Sequence, residues 1–377
     1  MSILHICSYY ISSKLYKNLV NELSSQRITT QHIFVPVKDE KQLGLHQISN
    51  HNVHFYYRHM LRKWDRFLYF HKIKKQMKEV ERSILLNQKI DFIHAHTVFS
   101  DGGTAYKLHQ KYGVKYIVTI RNTDINKFYK YGYHLRPFMH KILLNSSAII
   151  FISHAYKKQM LRLIPEKIAN QIAEKIQVVP NGIDQYWIEN VVKQPRQLSN
   201  DQLKLIFIGN IDKNKNVHNI IYAMSKYKQH GGQITLDIVG TGPCLIEVME
   251  IVTKLGLTEE VKHHGYISDK NAVLEILTSC DIFIMPSYNE TFGLVYIEAL
   301  SQGLPIIYSK DQGVDGFFDR DPVGVAVDPS KVQDIVGAFS TIKSQYYEMS
   351  NNAIEQSRKF NWPSLAKEFI EIYKNKV

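Results

Sequence analysis

Cysteine is scarce in this chain. The three thiols, Cys7, Cys244 and Cys280, are odd in number, far apart and set among apolar neighbours. That excludes a disulfide framework and a cysteine-based metal spacing, and it implies buried free thiols in a reducing compartment. A run of about 18 apolar residues is also missing, so no membrane-spanning helix is expected. The opening MSILHICSYYISSKLY has no basic leader region and no small-residue cleavage site; it reads as a first strand rather than a secretion signal. A cytoplasmic protein is the expectation. There is no internal repeat and no low-complexity tract. Acidic residues are in deficit: 47 Lys and Arg against 35 Asp and Glu leave a net charge of +12. Such an excess attracts something anionic, whether nucleic acid, anionic lipid or a phosphorylated substrate. No nucleic-acid-binding motif accompanies the charge, and nucleic acid is not expected as a partner.

What the chain has in quantity is alternation. With 377 residues, 44% hydrophobic and 22% charged, it is long enough for two ordinary domains with real cores. Short β-rich runs at 3–7, 32–37, 91–96, 115–120 and 148–153 are separated by amphipathic stretches, for instance 14–26, 63–86 and 101–112. A turn signal at Asn181-Gly182 and a polar, Pro195-containing stretch at 193–202 interrupt the pattern. It then restarts, with strands expected at 203–210, 234–240, 261–267, 281–287 and 304–309. Helices are expected near 216–229, 243–256, 271–279, 293–302 and 331–346. Strands alternating with helices imply parallel sheets covered on both faces. The expectation is an α/β protein of two doubly wound, Rossmann-like domains, 1–190 and 200–360, facing an interdomain cleft. Ligands in such sheets bind beyond the carboxyl ends of the strands.

The stretch MPSYNETFGLVYIEALSQGLPII (285–307) places Glu290 and Glu298 around a helix start. Gly293 permits close approach of the backbone, and the amides at 292–294 point out of the helix start, where anions are favoured. Carboxylates accept hydrogen bonds and so suit a polyol. A ligand with phosphates on the amides and sugar hydroxyls on the acids reconciles the two. Taken singly, each acid also fits an ordinary helix residue.

ETFGLVYIE resembles the Glu-x7-Glu motif of retaining glycosyltransferases of the GT-B fold, family 4. The resemblance extends over most of the chain. VVPNGID (178–184) is similar to the family's interdomain segment, and FIGNIDKNKNVHNIIYAM (207–224) to its glycine-turn-lysine element. IVGTGP (238–243) and HHGYIS (263–268) match its next two strand ends. FNWPSLAKEFIEIY resembles the closing helices, which in this fold cross back, so that helix 361–377 is expected on the first domain. The resemblance implies a nucleotide-sugar donor, a UDP- or GDP-sugar, held by Gly209, Asn210, Lys215, Tyr266, Ile267, Glu290, Thr291, Phe292, Gly293, Leu294 and Glu298. Glu298 would take the ribose and Glu290 the transferred sugar. The 292–294 amides and Lys215 would hold the diphosphate, although Lys215 also reads as a solvated loop lysine. Tyr266 and Ile267 would face the base through their main chain. Asn210 stands where the family has arginine, a cation that Lys213 or Arg121 could replace. The implied reaction retains anomeric configuration and needs no metal and no cofactor.

In the first half, His94 and His96 share a strand face. Zinc is not expected there, because no third ligand is spaced to support it. His94 reads as a satisfied core histidine, and His96 matches the family histidine at the reaction centre, making His96, Glu290 and Lys215 the catalytic candidates. Ser12, Ser13, Arg121, Asn122 and Asp124 are acceptor-site candidates; Asp124 reads equally as a helix cap. The local sequence resembles capsular and exopolysaccharide transferases, which implies bacterial surface-polysaccharide assembly and a lipid-linked or oligosaccharide acceptor. The basic, aromatic stretch 56–82, with Trp64, Phe67, Leu68, Tyr69 and Phe70, fits peripheral binding at the inner face of an anionic membrane; a solvated basic helix with core-facing aromatics is the alternative. Rival functions are weaker. GTGPCL (240–245) begins like a dinucleotide fingerprint but ends on Leu245. A nucleotide-sugar epimerase of the same fold, or a non-catalytic binder, would show no acceptor-dependent transfer.

Overall fold

A computed structural model describes residues 1–26, 30–66, 68–198 and 201–376. The chain forms two contact units. The first holds Met1–Ile152, Lys157–Asn181 and the chain from Trp362 on; the second holds Ser153–Tyr156 and Gly182–Asn361.

The first unit runs β1 (Ser2–Ile6), α1 (Lys14–Ser25), β2 (Thr30–Val37), β3 (Val53–His59), α2 (Tyr69–Val80), β4 (Phe92–Ala95), α3 (Gly103–Tyr112), β5 (Lys115–Ile120), α4 (Arg136–Asn145), β6 (Ala148–Phe151), α5 (His154–Leu163), α6 (Glu166–Ile172) and β7 (Ile176–Val178). Its seven strands are all parallel, in the order β3-β2-β1-β4-β5-β6-β7. The second unit runs α7 (Gln185–Glu189), β8 (Leu203–Ile208), α8 (Val217–Gln229), β9 (Ile234–Val239), α9 (Leu245–Lys254), β10 (Val261–Gly265), α10 (Lys270–Ser279), β11 (Ile282–Ile284), α11 (Leu294–Ser301), β12 (Ile306–Ser309), β13 (Gly324–Val327) and α12 (Val332–Ser357). Its six strands are also parallel, in the order β10-β9-β8-β11-β12-β13. α13 (Trp362–Lys376) then belongs to the first unit, where Trp362, Leu365, Phe369 and Tyr373 are buried with Ile3, Leu19 and Ile117.

Inner strands read as apolar runs because helices cover both faces: β4, β6, β11 and β12 are buried at every position. The strands absent from the sequence reading are β3, β7 and β13, and all three lie at sheet edges. An edge strand keeps one flank in water and carries a mixed sequence; β3, VHFYYRH, is buried at one of its seven positions. Consequently the basic stretch 56–82 is not one helix. It begins as β3, passes through a 3-10 turn at Lys63–Arg66 and only then enters α2, which ends in a wider turn at Glu81–Leu85. The helix expected at 331–346 continues to Ser357 across a non-helical Gln345.

The expected boundary also moves. Ile183 and Trp187, placed by the sequence reading in the first domain, sit in the core of the second unit. The polar stretch that follows is held there too, Arg196 donating to the Thr278 carbonyl at 2.7 Å; residues 199 and 200 lie outside the described residues.

Candidate functional site

The strand order of the second sheet reverses between β8 and β11: β9 and β10 lie on one side, β12 and β13 on the other. Loops leaving the carboxyl ends of two such strands diverge and open a crevice. Lys215 follows β8 and Glu290 follows β11, and they meet across that crevice, Lys215 Nζ donating to Glu290 Oε2 at 2.6 Å. Their side chains keep 21% and 11% of their surface, so the pair has limited access to solvent.

Short polar residues set both loops. Asn214 donates to the Asn289 carbonyl at 3.0 Å and accepts from the Asn289 amide at 2.9 Å. Asn216, buried at a left-handed φ of 61°, donates to the carbonyls of Pro286 and Pro329 at 3.0 and 2.7 Å. Asn210 donates to Asp212 at 2.6 Å, and Asp212 accepts from the Lys215 amide at 2.9 Å. Where the resemblance has arginine, this chain therefore uses Asn210 to build the turn that presents Lys215. Lys213, in the same loop, is exposed. Arg121 is engaged in the first unit, over the Tyr16 ring and donating to Asn181 at 3.1 Å. Gly209 closes the end of β8, its amide donating to the Val239 carbonyl at 3.0 Å.

Glu290 is fixed at its backbone and its carboxylate. Its amide donates to Gln312 at 3.1 Å, and its Oε1 accepts from the Thr291 amide at 3.0 Å. Beneath it Gly313 has φ 54°, and a Cβ there would come within 2.9 Å of Glu290 Cγ and the Phe292 carbonyl. Gly293 caps α11 at φ 82°, where a Cβ would strike the Tyr296 ring. Phe292 turns its ring into a cluster with Phe317 and Phe360, so its main chain alone can face the loop. Leu294 begins α11, whose first amides have no partner within the helix.

Glu298 is half-buried along α11. Burial pushes its carboxyl up to about 7, with Asp184 adding to the rise and Lys270 and a side-chain hydrogen bond from Trp187 opposing it. Asp184 and Lys270 pair at 2.7 Å. Sequence reasoning missed these neighbours because VVPNGIDQYW read as a turn between domains; only the packing of α7 on α11 reveals them. Tyr266, 75% exposed, and half-buried Ile267 follow β10, which His264 ties to Asp237 of β9 at 2.5 Å.

In the first unit the order reverses between β1 and β4. His94 is a satisfied core histidine: Nδ1 lies 2.8 Å from the Tyr373 hydroxyl and Nε2 2.9 Å from Thr119 Oγ1. His96 is 2% exposed, its Nε2 lies 3.0 Å from Nδ1 of His5, and its Nδ1 is buried without a partner among the described residues. A third ring therefore does adjoin the pair, supplied by β1 rather than by local spacing, and one nitrogen from each of His5, His94 and His96 lies within 4.8 Å of the others. Both nitrogens of His94 are already taken by protein partners. Burial holds all three imidazoles well below their usual range, His5 to about 3.

The acceptor candidates divide. Asp124 is fully buried and accepts from the amides of Val98, Phe99 and Arg121, so it is an internal anchor and neither a cleft residue nor a cap on its own helix. Ser13 caps α1 by accepting from the Leu15 amide, and Ser12 donates to the Tyr9 carbonyl at 2.6 Å. Asn122 is exposed and accepts from Asn126. In the basic stretch, Trp64, Leu68 and Phe70 are exposed, whereas Tyr69 is buried and donates to the Phe99 carbonyl at 2.6 Å. Phe67 lies outside the described residues. Among the described residues, no helix is long and apolar enough to cross a membrane.

Comparison with known proteins covers both units. Residues 190–360 match the family described as glycosyl transferases group 1, and residues 9–185 match glycosyltransferase family 4. An uncharacterized glycosyltransferase of Methanocaldococcus jannaschii is 23% identical over 313 residues, 78% of either chain. Among solved structures, the lipopolysaccharide outer core galactosyltransferase WaaB superposes with a TM-score of 0.75 at 18% identity over 100% of both chains. HepE of Anabaena in complex with UDP-glucose does so at 0.67 and 17% identity over 99% of each.

Proposed function

Because the chain belongs to the group 1 glycosyltransferases of the GT-B fold, we propose that it moves a sugar from a UDP- or GDP-sugar to a hydroxyl of a lipid-linked or oligosaccharide acceptor. The transfer retains anomeric configuration, needs no metal, and serves assembly of a bacterial surface polysaccharide such as a capsule. The observation that carries the donor reading is the Lys215–Glu290 pair at the switch point of the second sheet. Support comes from HepE, a solved relative in fold that holds UDP-glucose.

In this reading the diphosphate lies on the first amides of α11 and draws Lys215 towards itself. Glu290 then turns to the hydroxyls of the transferred sugar, and Glu298 accepts from the ribose. The base rests against the main chain at Tyr266 and Ile267. His96 remains the catalytic candidate of the first unit in this reading, its Nδ1 buried without a partner among the described residues. The bond from the anomeric carbon to the diphosphate breaks as the acceptor hydroxyl attacks from the same face. The acceptor's proton goes to the departing phosphate, whose growing charge meets Lys215 and the amides. Such a reaction depends on positioning more than on a strong protein base. Exposed Trp64, Leu68 and Phe70 support the reading of a peripheral protein at the inner face of an anionic membrane.

Calorimetry with a panel of UDP- and GDP-sugars tests the donor. Heat is expected from one or more of them, and Lys215→Ala weakens binding by about tenfold, the loss of one charge-assisted contact. Glu290→Ala lowers turnover by about 100-fold or more. Full transfer by both variants would overturn the assignment. Sedimentation with anionic and neutral liposomes at low salt tests the membrane, binding to the anionic ones alone being expected.

A further inference from the structure

The donor site leaves unexplained a cavity in the first unit. It has a volume of about 320 Å3 and opens where the loops after β1, β2 and β4 come together. Among the described residues Lys38, Arg62 and Lys72 line it, with Asp65 as the one carboxylate. That acid is committed to the fold: Asp65 is buried and accepts from the Arg62 amide at 2.7 Å. Lys72 is half-buried, and its ammonium donates to Ser100 Oγ at 2.9 Å. None of the three cations is in an ion pair among the described residues. Burial lowers the Lys72 pKa; the carboxylates of Asp101, Asp65 and Asp124 oppose that fall without pairing with the ammonium, and the neighbouring Lys38 adds to it. Ser8, Tyr9 and Ser100 add hydroxyl-bearing side chains to the lining. The Ser8 hydroxyl donates to Asp101 at 2.6 Å, and Ser8 and Thr97 thereby hold that carboxylate behind the wall of the cavity. The remaining walls are apolar, supplied by Leu61, Tyr69 and Phe128.

Three converging cations, one of them desolvated, form a recess for a multiply charged oxyanion. We propose that this cavity binds a phosphate group carried by the acceptor, so that the sugar is transferred to a phosphorylated molecule. The inference rests on the transferase reading for the word acceptor, but the phosphate site itself does not. The apolar wall, and the exposed Trp64 and Leu68 that lie in the same segment of chain as the lining residues Arg62, Asp65 and Tyr69, suit a phosphate attached to a lipid. A soluble sugar phosphate offers the same chemistry.

Titration of the full-length protein with inorganic phosphate, in the presence of saturating UDP to fill the diphosphate site, tests the cavity. Phosphate is expected to bind, and Arg62→Gln and Lys72→Met each to weaken it about tenfold. The heat of UDP binding to both variants stays unchanged, which also shows that they are folded. Arg62 is exposed, so its variant remains informative should Lys72→Met fold poorly. Phosphate binding that is absent, or equal in wild type and Arg62→Gln while UDP still binds, would overturn the proposal and leave the donor site standing. Loss of UDP binding with phosphate binding intact would do the reverse. Two further arms identify the carrier: glycerol 3-phosphate in solution, and phosphatidylcholine vesicles with or without phosphatidic acid. Binding of the soluble phosphate that Arg62→Gln weakens supports a soluble acceptor. Binding to the phosphatidic acid vesicles alone, weakened by the same substitution, supports a lipid-linked one. Equal binding of wild type and variant in both arms would overturn the site.

Discussion

At the scale of single residues, Glu298 makes a pH-dependent prediction. Its pKa is raised to about 7 in the folded protein, chiefly by burial, against about 4.3 for an ordinary glutamate. Between those values the folded state binds the extra proton, so the contribution of Glu298 to stability falls as pH rises through that window. Glu298→Gln removes this term and keeps an acceptor for Trp187. Its melting temperature, relative to wild type, should therefore rise between pH 5 and pH 8. In the proposed donor pose the ribose hydroxyls favour the charged carboxylate, so the donor should bind with proton release near neutral pH. Calorimetry in buffers of different ionisation heat reads that release directly, and Glu298→Gln should abolish it. The two glutamates were legible in the sequence as a motif. Their difference was not: Glu290 is set by Lys215 and Gln312, Glu298 by Trp187 and the Asp184–Lys270 pair. Those partners come from other strands and helices, where spacing along the chain carries no signal. His5 escaped notice for the same reason, since β1 and β4 are neighbours only in the sheet.

At the scale of elements, a loop is as good as what fixes it. The loop after β11 rests on Gly313, whose left-handed φ and contact with Glu290 leave no room for a methyl group. Gly313→Ala should cost about 1–2 kcal/mol and displace Glu290; thermal unfolding reads the first effect and turnover the second. Activity should fall further than stability alone explains. The same scale shows which strands a sequence discloses. β4, β6, β11 and β12 announce themselves as apolar runs because both of their faces are covered. β3, β7 and β13 are edges, and β3 in particular mixes His, Tyr and Arg in a way that passed for a basic helix. The alternation was enough for the doubly wound architecture but not for the width of either sheet.

At the scale of the whole molecule, the chain returns to where it began. α13 buries Trp362, Leu365, Ala366, Phe369 and Ile370 among residues of the first unit, and none of these belongs to the core of the second. Phe369→Ala should destabilise the first unit by about 3–5 kcal/mol. The proposed donor site lies in the second unit, so the binding heat of UDP should survive at temperatures where the variant remains folded. Protection of β1 and β5 amides from hydrogen exchange would fall, while protection of β8 and β11 would not. The turn at Asn181-Gly182 marked the crossing between units in the sequence, but the segment after it looked like a tether. Trp187 and Arg196 show that it is already part of the second body.

The return of α13 also fixes an order of events at the ribosome. The first sheet emerges early, yet the helix that covers Ile3, Leu19 and Ile117 is translated only after every strand of the second sheet. For most of its synthesis the nascent protein carries an apolar face with nothing to lie on it. That interval, rather than the finished molecule, is when chaperones would have most to hold.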